Sequence, residues 1–205
     1  VGGNLVFSRP LGLWSGEFGL NYERISVRDE DGDLATEDAR GNPTSWSGSG
    51  IDDLYTVSLG LNRSWFDNPF NPTSGGKVSL TTEQSIPIGE GEISSNRLIA
   101  NYVQYVPIKF LSSDDPYALP EMFAFNLQAG TVIGDLPPSL AFALGGNKSV
   151  RGYEPGDLGT GRSYVLFRSE YRFSMWRDVG AVFFFDFASD LGSGDTIIGE
   201  PPEER

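Results

Sequence analysis

Arg151 lies between Val150 and Gly152, ahead of Tyr153, in a run that also holds Gly145, Gly146, Gly156, Gly159 and Gly161. So many glycines permit left-handed backbone and close approach to a wall, so the segment is expected to fold inward rather than extend into solvent. Two carboxylates, Glu170 and Asp186, follow in segments of alternating polarity, on the polar face of each. Placed on neighbouring strands they would repel each other. A guanidinium offers five donors and keeps its proton, so one arginine can satisfy both. The chemistry expected of Arg151, Glu170 and Asp186 is therefore a lock that holds a loop to a wall. The plainer alternative is an arginine on a surface hairpin. An exposed cluster would contribute about 0–1 kcal/mol. A desolvated one would lose roughly 3–5 kcal/mol on removal of its arginine.

The remaining candidates for chemistry are weaker. The 205 residues include no His and no Cys, which removes disulfides, thiol nucleophiles, zinc fingers, Ser-His-Asp triads and histidine bases. The run Asp29-Glu-Asp-Gly-Asp-Leu resembles the start of a calcium loop, but its twelfth position is Arg40 where a bidentate Glu is needed. Asp52-Asp53, Asp114-Asp115 and the acids between Glu200 and Glu204 read as solvated loop charge. Asn62-Arg-Ser64 matches a glycosylation sequon but sits in a strand pattern. No carboxylate pair among 28 acids stands out as a hydrolytic site. No catalytic residue, metal site or cofactor is expected, and the chain reads as a non-enzyme. A net charge of −13 argues against nucleic acid as a partner.

The elements that would position the lock are strands. Phe123, Phe125 and Leu127 alternate with Ala124, Asn126 and Gln128; Val165, Phe167, Tyr171 and Phe173 oppose Arg168, Glu170 and Arg172. Phe183, Phe185 and Phe187 oppose Phe184, Asp186 and Ala188 in the same way. The spacing predicts about eight strands, near 2–9, 15–27, 54–66, 76–85, 97–107, 121–134, 163–173 and 179–189, with no convincing amphipathic helix. Short connections near 9–14, 67–75, 108–120 and 174–178 alternate with long or acidic ones at 28–53, 86–96, 135–162 and beyond 190. That alternation suits an up-and-down antiparallel sheet whose two ends face different environments, as in a transmembrane barrel. Trp14, Trp65 and Trp176 each stand beside a short turn, as an interfacial girdle requires. No run of 18 or more apolar residues could form a spanning helix. A soluble β-sandwich would alternate in a similar way, so periodicity alone leaves both open. Val1-Gly-Gly-Asn does not begin like a signal peptide, and the chain reads as a fragment or a mature piece.

Residues 144–173 resemble the sixth outer loop and following strand of the outer-membrane protein-assembly barrels, the superfamily of the BAM insertase, the plastid TOC channel and the two-partner secretion transporters. The centre of the match is Val150-Arg151-Gly152-Tyr153, with a strand ending Glu170-Tyr171-Arg172-Phe173. Phe183-Phe184-Phe185-Asp186 resembles the next strand's aromatic-Asp motif, and Asp67-Asn-Pro-Phe-Asn-Pro-Thr-Ser-Gly-Gly76 the family's periplasmic turn. The loop is most similar to that of cyanobacterial members.

The resemblance implies an all-β fold: residues 1–205 would be part of a sixteen-stranded transmembrane antiparallel barrel of the bacterial surface antigen type, with about eight strands present. It implies that 135–162 is a lumenal loop whose Arg151 docks on Glu170 and Asp186. By family count these are roughly strands six to thirteen, without the soluble POTRA modules or the opening and closing strands. The implied function is insertion of outer-membrane proteins or translocation of polypeptides. A two-partner secretion transporter with one dedicated passenger and a solute porin are the alternatives. Implied partners are unfolded polypeptide clients, the lipid bilayer, and periplasmic or lipoprotein accessory subunits. The implied location is the outer membrane of a Gram-negative-type, cyanobacterial cell, or alternatively the chloroplast outer envelope.

Overall fold

The computed structural model describes residues 1–29, 31–38, 41–111, 119–176 and 179–194. Its long strands are β1 (Gly2–Leu11), β2 (Trp14–Ser26), β3 (Ile51–Ser64), β4 (Gly75–Ile86), β5 (Ser95–Pro107), β6 (Met122–Gly134), β9 (Ser163–Trp176) and β10 (Val179–Ser189). Between β6 and β9 run a 3-10 turn, Pro138–Leu140, and a short hairpin of β7 (Phe142–Leu144) and β8 (Gly159–Gly161). The eight long strands form one antiparallel sheet in the order β1-β2-β3-β4-β5-β6-β9-β10, so every neighbour in space is the next long strand in sequence. This is the up-and-down arrangement expected from the alternation of turns and loops.

Residues opposite each other in an antiparallel ladder share a face, so the register sorts the sheet into two sides. Along one row Leu5, Leu20, Val57, Gln84, Asn96 and Ile133 are opposed in turn. Leu59, Leu80, Leu98, Leu127, Phe183 and Phe185 stand exposed on that outer face, and Phe123 and Phe125 share it partly covered by their neighbours. Phe123–Phe125, Tyr171–Phe173 and Phe173–Phe183 stack along it with ring centroids 5.8, 5.0 and 5.5 Å apart. The other face carries Glu17, Glu23, Glu83, Arg97, Asn126, Gln128, Arg168, Glu170 and Arg172. A sheet with an apolar exposed side and a polar side beneath a folded loop is a barrel wall turned inside out relative to a soluble protein. Two sheets packed over those phenylalanines, the sandwich alternative, do not occur: the described residues hold one large sheet and one two-stranded hairpin.

Burial is concentrated where the loop meets the inner face. Val132, Leu136, Phe142, Leu144, Val150, Tyr164 and Leu166 form a single apolar cluster, contributed by β6, the loop and β9. Polarity of the inner face is therefore interrupted by an apolar patch that the loop covers.

One reading of the charges is corrected. Asp52 and Asp53 do not lie in solvated loop; they open β3 and are 3% and 4% exposed. The Asp52 carboxylate accepts the backbone N–H groups of Trp46 and Ser47 at 2.8 and 2.9 Å. Asp53 accepts both Nε and a terminal nitrogen of Arg24 at 2.7 Å, the Tyr22 hydroxyl at 3.0 Å and the Glu90 N–H at 3.1 Å. These acids lie at the outer end of the β2–β3 wall, where β3 starts at Ile51, three residues ahead of the expected start at 54. Asp114-Asp115 and the acids between Glu200 and Glu204 lie outside the described residues.

Candidate functional site

The loop from 135 to 162 leaves the end of β6 and returns into β9, crossing the inner face on the way. Its base is fastened by Arg162, which donates to the carbonyls of Val132 and Gly134 at 3.0 and 2.8 Å, and by a 2.8 Å hydroxyl pair between Thr131 and Ser163. The β7–β8 hairpin then turns the chain back on itself. The Gly156 N–H reaches the Leu144 carbonyl at 2.9 Å, and the Gly146 N–H reaches Tyr153 at 2.8 Å. Gly145, Gly146, Gly152, Gly156 and Gly159 all take positive φ, the use for which a glycine-rich run is suited.

Within this frame Val150 is buried in the apolar cluster and carries Arg151 to the inner wall. The Arg151 guanidinium forks onto Asp186, with Nε and one terminal nitrogen each 2.6 Å from a different carboxylate oxygen. Its other terminal nitrogen reaches Glu170 Oε1 at 2.6 Å. The Arg151 backbone N–H adds a 3.1 Å bond to Asp186. Side-chain exposure is 22% for Arg151, 17% for Glu170 and 3% for Asp186. Hydrogen bonding to Asp186, then to Glu170, holds the loop guanidinium above its ordinary pKa against the opposing effect of burial. It stays a cation. Gly152 and Tyr153 do not touch the acids; they make the turn that returns the chain, and Tyr153 is half-exposed.

The structure thus brings together Arg151, Glu170 and Asp186, and adds three groups the sequence reading did not assign to the lock. Arg172 binds Glu170 at 2.6 Å and Arg168 stands 3.6 Å from Asp186, so each acid is shared between the loop arginine and an arginine of β9. Phe184 is the floor, with its ring centroid 3.9 Å from the Arg151 guanidinium carbon. The signal was present: Arg168, Glu170 and Arg172 share one face by parity, and Phe184 shares that of Asp186. A second fastening lies one strand beyond β6. Arg97 of β5 covers the Phe142 ring at 4.6 Å and pairs with Glu83 at 3.3 Å. Phe142 packs on Tyr164 with centroids 4.6 Å apart, above Gly130. A Cβ at Gly130 would stand 2.6 Å from the Tyr164 ring and 2.8 Å from that of Phe142, so this seat needs glycine.

At the opposite end, Asp67 organises the β3–β4 turn. Its carboxylate accepts the N–H groups of Thr73 and Ser74 at 2.9 and 3.0 Å and the Thr73 hydroxyl at 2.5 Å. Those bonds, the Thr73 hydroxyl foremost, hold its pKa well below the usual carboxylate range. Asn68 Oδ1 accepts from Phe70 and Asn71 at 2.9 and 3.4 Å, so the Asp-Asn pair is a turn scaffold. Among the described residues no group of three or more Asp or Glu side chains gathers as a metal cage would.

A domain profile described as the Omp85 superfamily domain matches residues 1–204. The chain belongs to the Omp85 superfamily. It is 32% identical over its whole length to outer envelope protein 80, chloroplastic, of Arabidopsis thaliana, of which it spans 26%. It is 29% identical, over 97% of its length, to protein TOC75-4, chloroplastic, of the same plant, of which it spans 51%. Among solved structures it resembles BamA from Haemophilus ducreyi lacking POTRA domains 1–3, with a TM-score of 0.65 over 92% of this chain and 40% of that one, at 16% identity. That likeness is one of fold. As an Omp85 member the chain is an outer-membrane β-barrel protein, and its open sheet matches part of the BamA barrel.

Proposed function

We propose that this Omp85 section is the lumen-bearing wall of a barrel that inserts outer-membrane proteins or passes polypeptides across an outer membrane, bacterial or plastid. The observation that carries the reading is the docking of Arg151 on Glu170 and Asp186, which fixes a loop across the inner face. Such a loop fills and shapes a conduit without itself doing bond chemistry. The work is non-enzymatic and needs no cofactor: an incoming polypeptide finds a polar wall for its unpaired backbone groups, or a strand edge elsewhere in the barrel that serves as template. Clients are unfolded polypeptides. Accessory subunits on the short-turn side suit a parent protein of which this is a part.

The test uses the full-length protein in liposomes with a urea-unfolded outer-membrane barrel as client. Protease protection of the client should appear faster than in protein-free liposomes, and Arg151→Ala should reduce that rate at least several-fold. A correctly folded full-length protein that leaves client insertion and translocation at the lipid-only rate would overturn the proposal. Passage of small ions without any effect on polypeptides would instead support a porin.

A further inference from the structure

The outer faces of the eight strands carry few charges: Arg9, Arg24, Asp53 and Arg63 among the described residues. Arg24 and Asp53 pair with each other at the outer end. Arg63 is different. It lies near the short-turn end of β3, one residue beyond the Ser15–Asn62 pair with β2 and opposite Val78 on β4. Its guanidinium carbon stands 5.8 Å from the Trp14 ring centroid and 5.7 Å from that of Trp65, between two indoles. Among the described residues no carboxylate pairs with it.

This arrangement is held in place by the sheet. The Trp65 N–H bonds the Gly76 carbonyl at 2.8 Å. A Cβ at Gly76 would meet the Trp65 ring at 2.7 Å, so the indole lies flat over a strand that must have glycine there. Tyr102 of β5 completes the wall, its ring centroid 6.4 Å from that of Trp65. Trp14, Arg63, Trp65, Val78 and Tyr102 together line an open hollow of about 390 Å³ on the outer face.

We propose that this hollow is a binding site for the headgroup of an anionic lipid, in the leaflet on the short-turn side. The inference rests on the membrane-wall reading above. Aromatic rings engage the flat faces of a guanidinium and leave its five N–H donors at the edge, where an oxyanion is the natural partner. A lone cation on a lipid-facing wall is costly unless it reaches the interface or meets a negative group. The chain as a whole carries net charge −13, so an unpaired arginine flanked by two tryptophans is a local reversal of sign. The hollow opens on the side that meets lipid, which selects a lipid phosphate or sulfonate over a soluble anion.

The experiment is native mass spectrometry of the full-length protein released from mixed micelles containing phosphatidylglycerol and phosphatidylcholine. The native protein should retain phosphatidylglycerol preferentially, and Arg63→Gln should lower that preference about five-fold, the factor for one basic group at a charged membrane surface. Trp65→Leu, which opens the hollow but keeps the charge, should lower it by a smaller factor. Heat-modifiable gel mobility confirms that each variant is a folded barrel. Equal retention of the two lipids, or a preference unchanged in a folded Arg63→Gln, would overturn the site. So would inorganic phosphate that displaces phosphatidylglycerol at low concentration, since the site would then take a free anion. A protein that stays folded and dispersed without detergent would instead overturn the membrane reading on which the site depends.

Discussion

The Phe184 ring lies 3.9 Å beneath the guanidinium carbon of Arg151, while the residue two positions on, Asp186, grips the same group by both oxygens. One strand therefore supplies both the floor and the clamp for the loop. One face of the guanidinium meets the ring, and each of its three nitrogens donates to a carboxylate.

Arg151→Lys should destabilise the loop despite keeping the charge, because an ammonium cannot fork across Asp186 and reach Glu170 at once. The loss expected is about 2 kcal/mol, between the ~0–1 of exposed pairs and the ~3–5 of buried ones. The thermal midpoint of heat-modifiable mobility in the full-length protein reads it. Unchanged folding and unchanged client insertion in that variant would remove the lock from the account.

Phe184→Leu keeps every ion pair but deletes the aromatic face. A loss of about 1 kcal/mol, the worth of a partly desolvated cation–π contact, is expected and should lower the same midpoint. Phe185→Leu on the outer face serves as the control of equal volume change, and a loss of equal size there would mean that ring packing alone is at stake.

Gly130→Ala places a methyl where the Phe142 and Tyr164 rings now sit. Overpacking of this kind costs about 1–3 kcal/mol. Limited proteolysis within 135–162 should speed up even though Arg151, Glu170 and Asp186 are untouched. Loop cleavage at the native rate would show that the hairpin seat does not help hold the loop.

Asp67 gives a pH-dependent prediction. Its pKa is depressed in the folded turn by the Thr73 and Ser74 bonds, so its stabilising contribution is complete above the unfolded-state value of about 3.9. That contribution fades as pH falls through the lower, folded value. The difference in urea midpoint between the native protein and Asp67→Ala should be constant from neutral pH to about pH 4 and shrink below it. A difference that grows on acidification would contradict the assignment.

The strands were legible because lipid outside and a wet lumen inside impose strict alternation. In β9, Val165, Phe167, Tyr171 and Phe173 against Arg168, Glu170 and Arg172 already fix which way each side chain points. The lock was legible through parity and through the Val150–Tyr153 resemblance. Two features were not. Asp52-Asp53 reads as loop charge because its partners are remote in sequence: Arg24 on β2 and backbone groups near Trp46 and Glu90. The apolar cluster under the loop draws Val132, Phe142, Val150 and Leu166 from four separate segments, and no local period links them.

The register between β9 and β10 sets Asp186 opposite Arg168 and Phe184 opposite Glu170. A slip of two residues would leave each side chain on the face it already holds, so apolar burial could not detect the error. It would shift one acid relative to the other by about 7 Å along the strands. Where the slip carries Asp186 away from Glu170, Arg151 could reach only one of them; where it carries Asp186 opposite Glu170, Phe184 loses its place beside that acid. The loop arginine thus acts as a gauge of strand alignment, tightening fully only when two neighbouring strands have paired at the right offset.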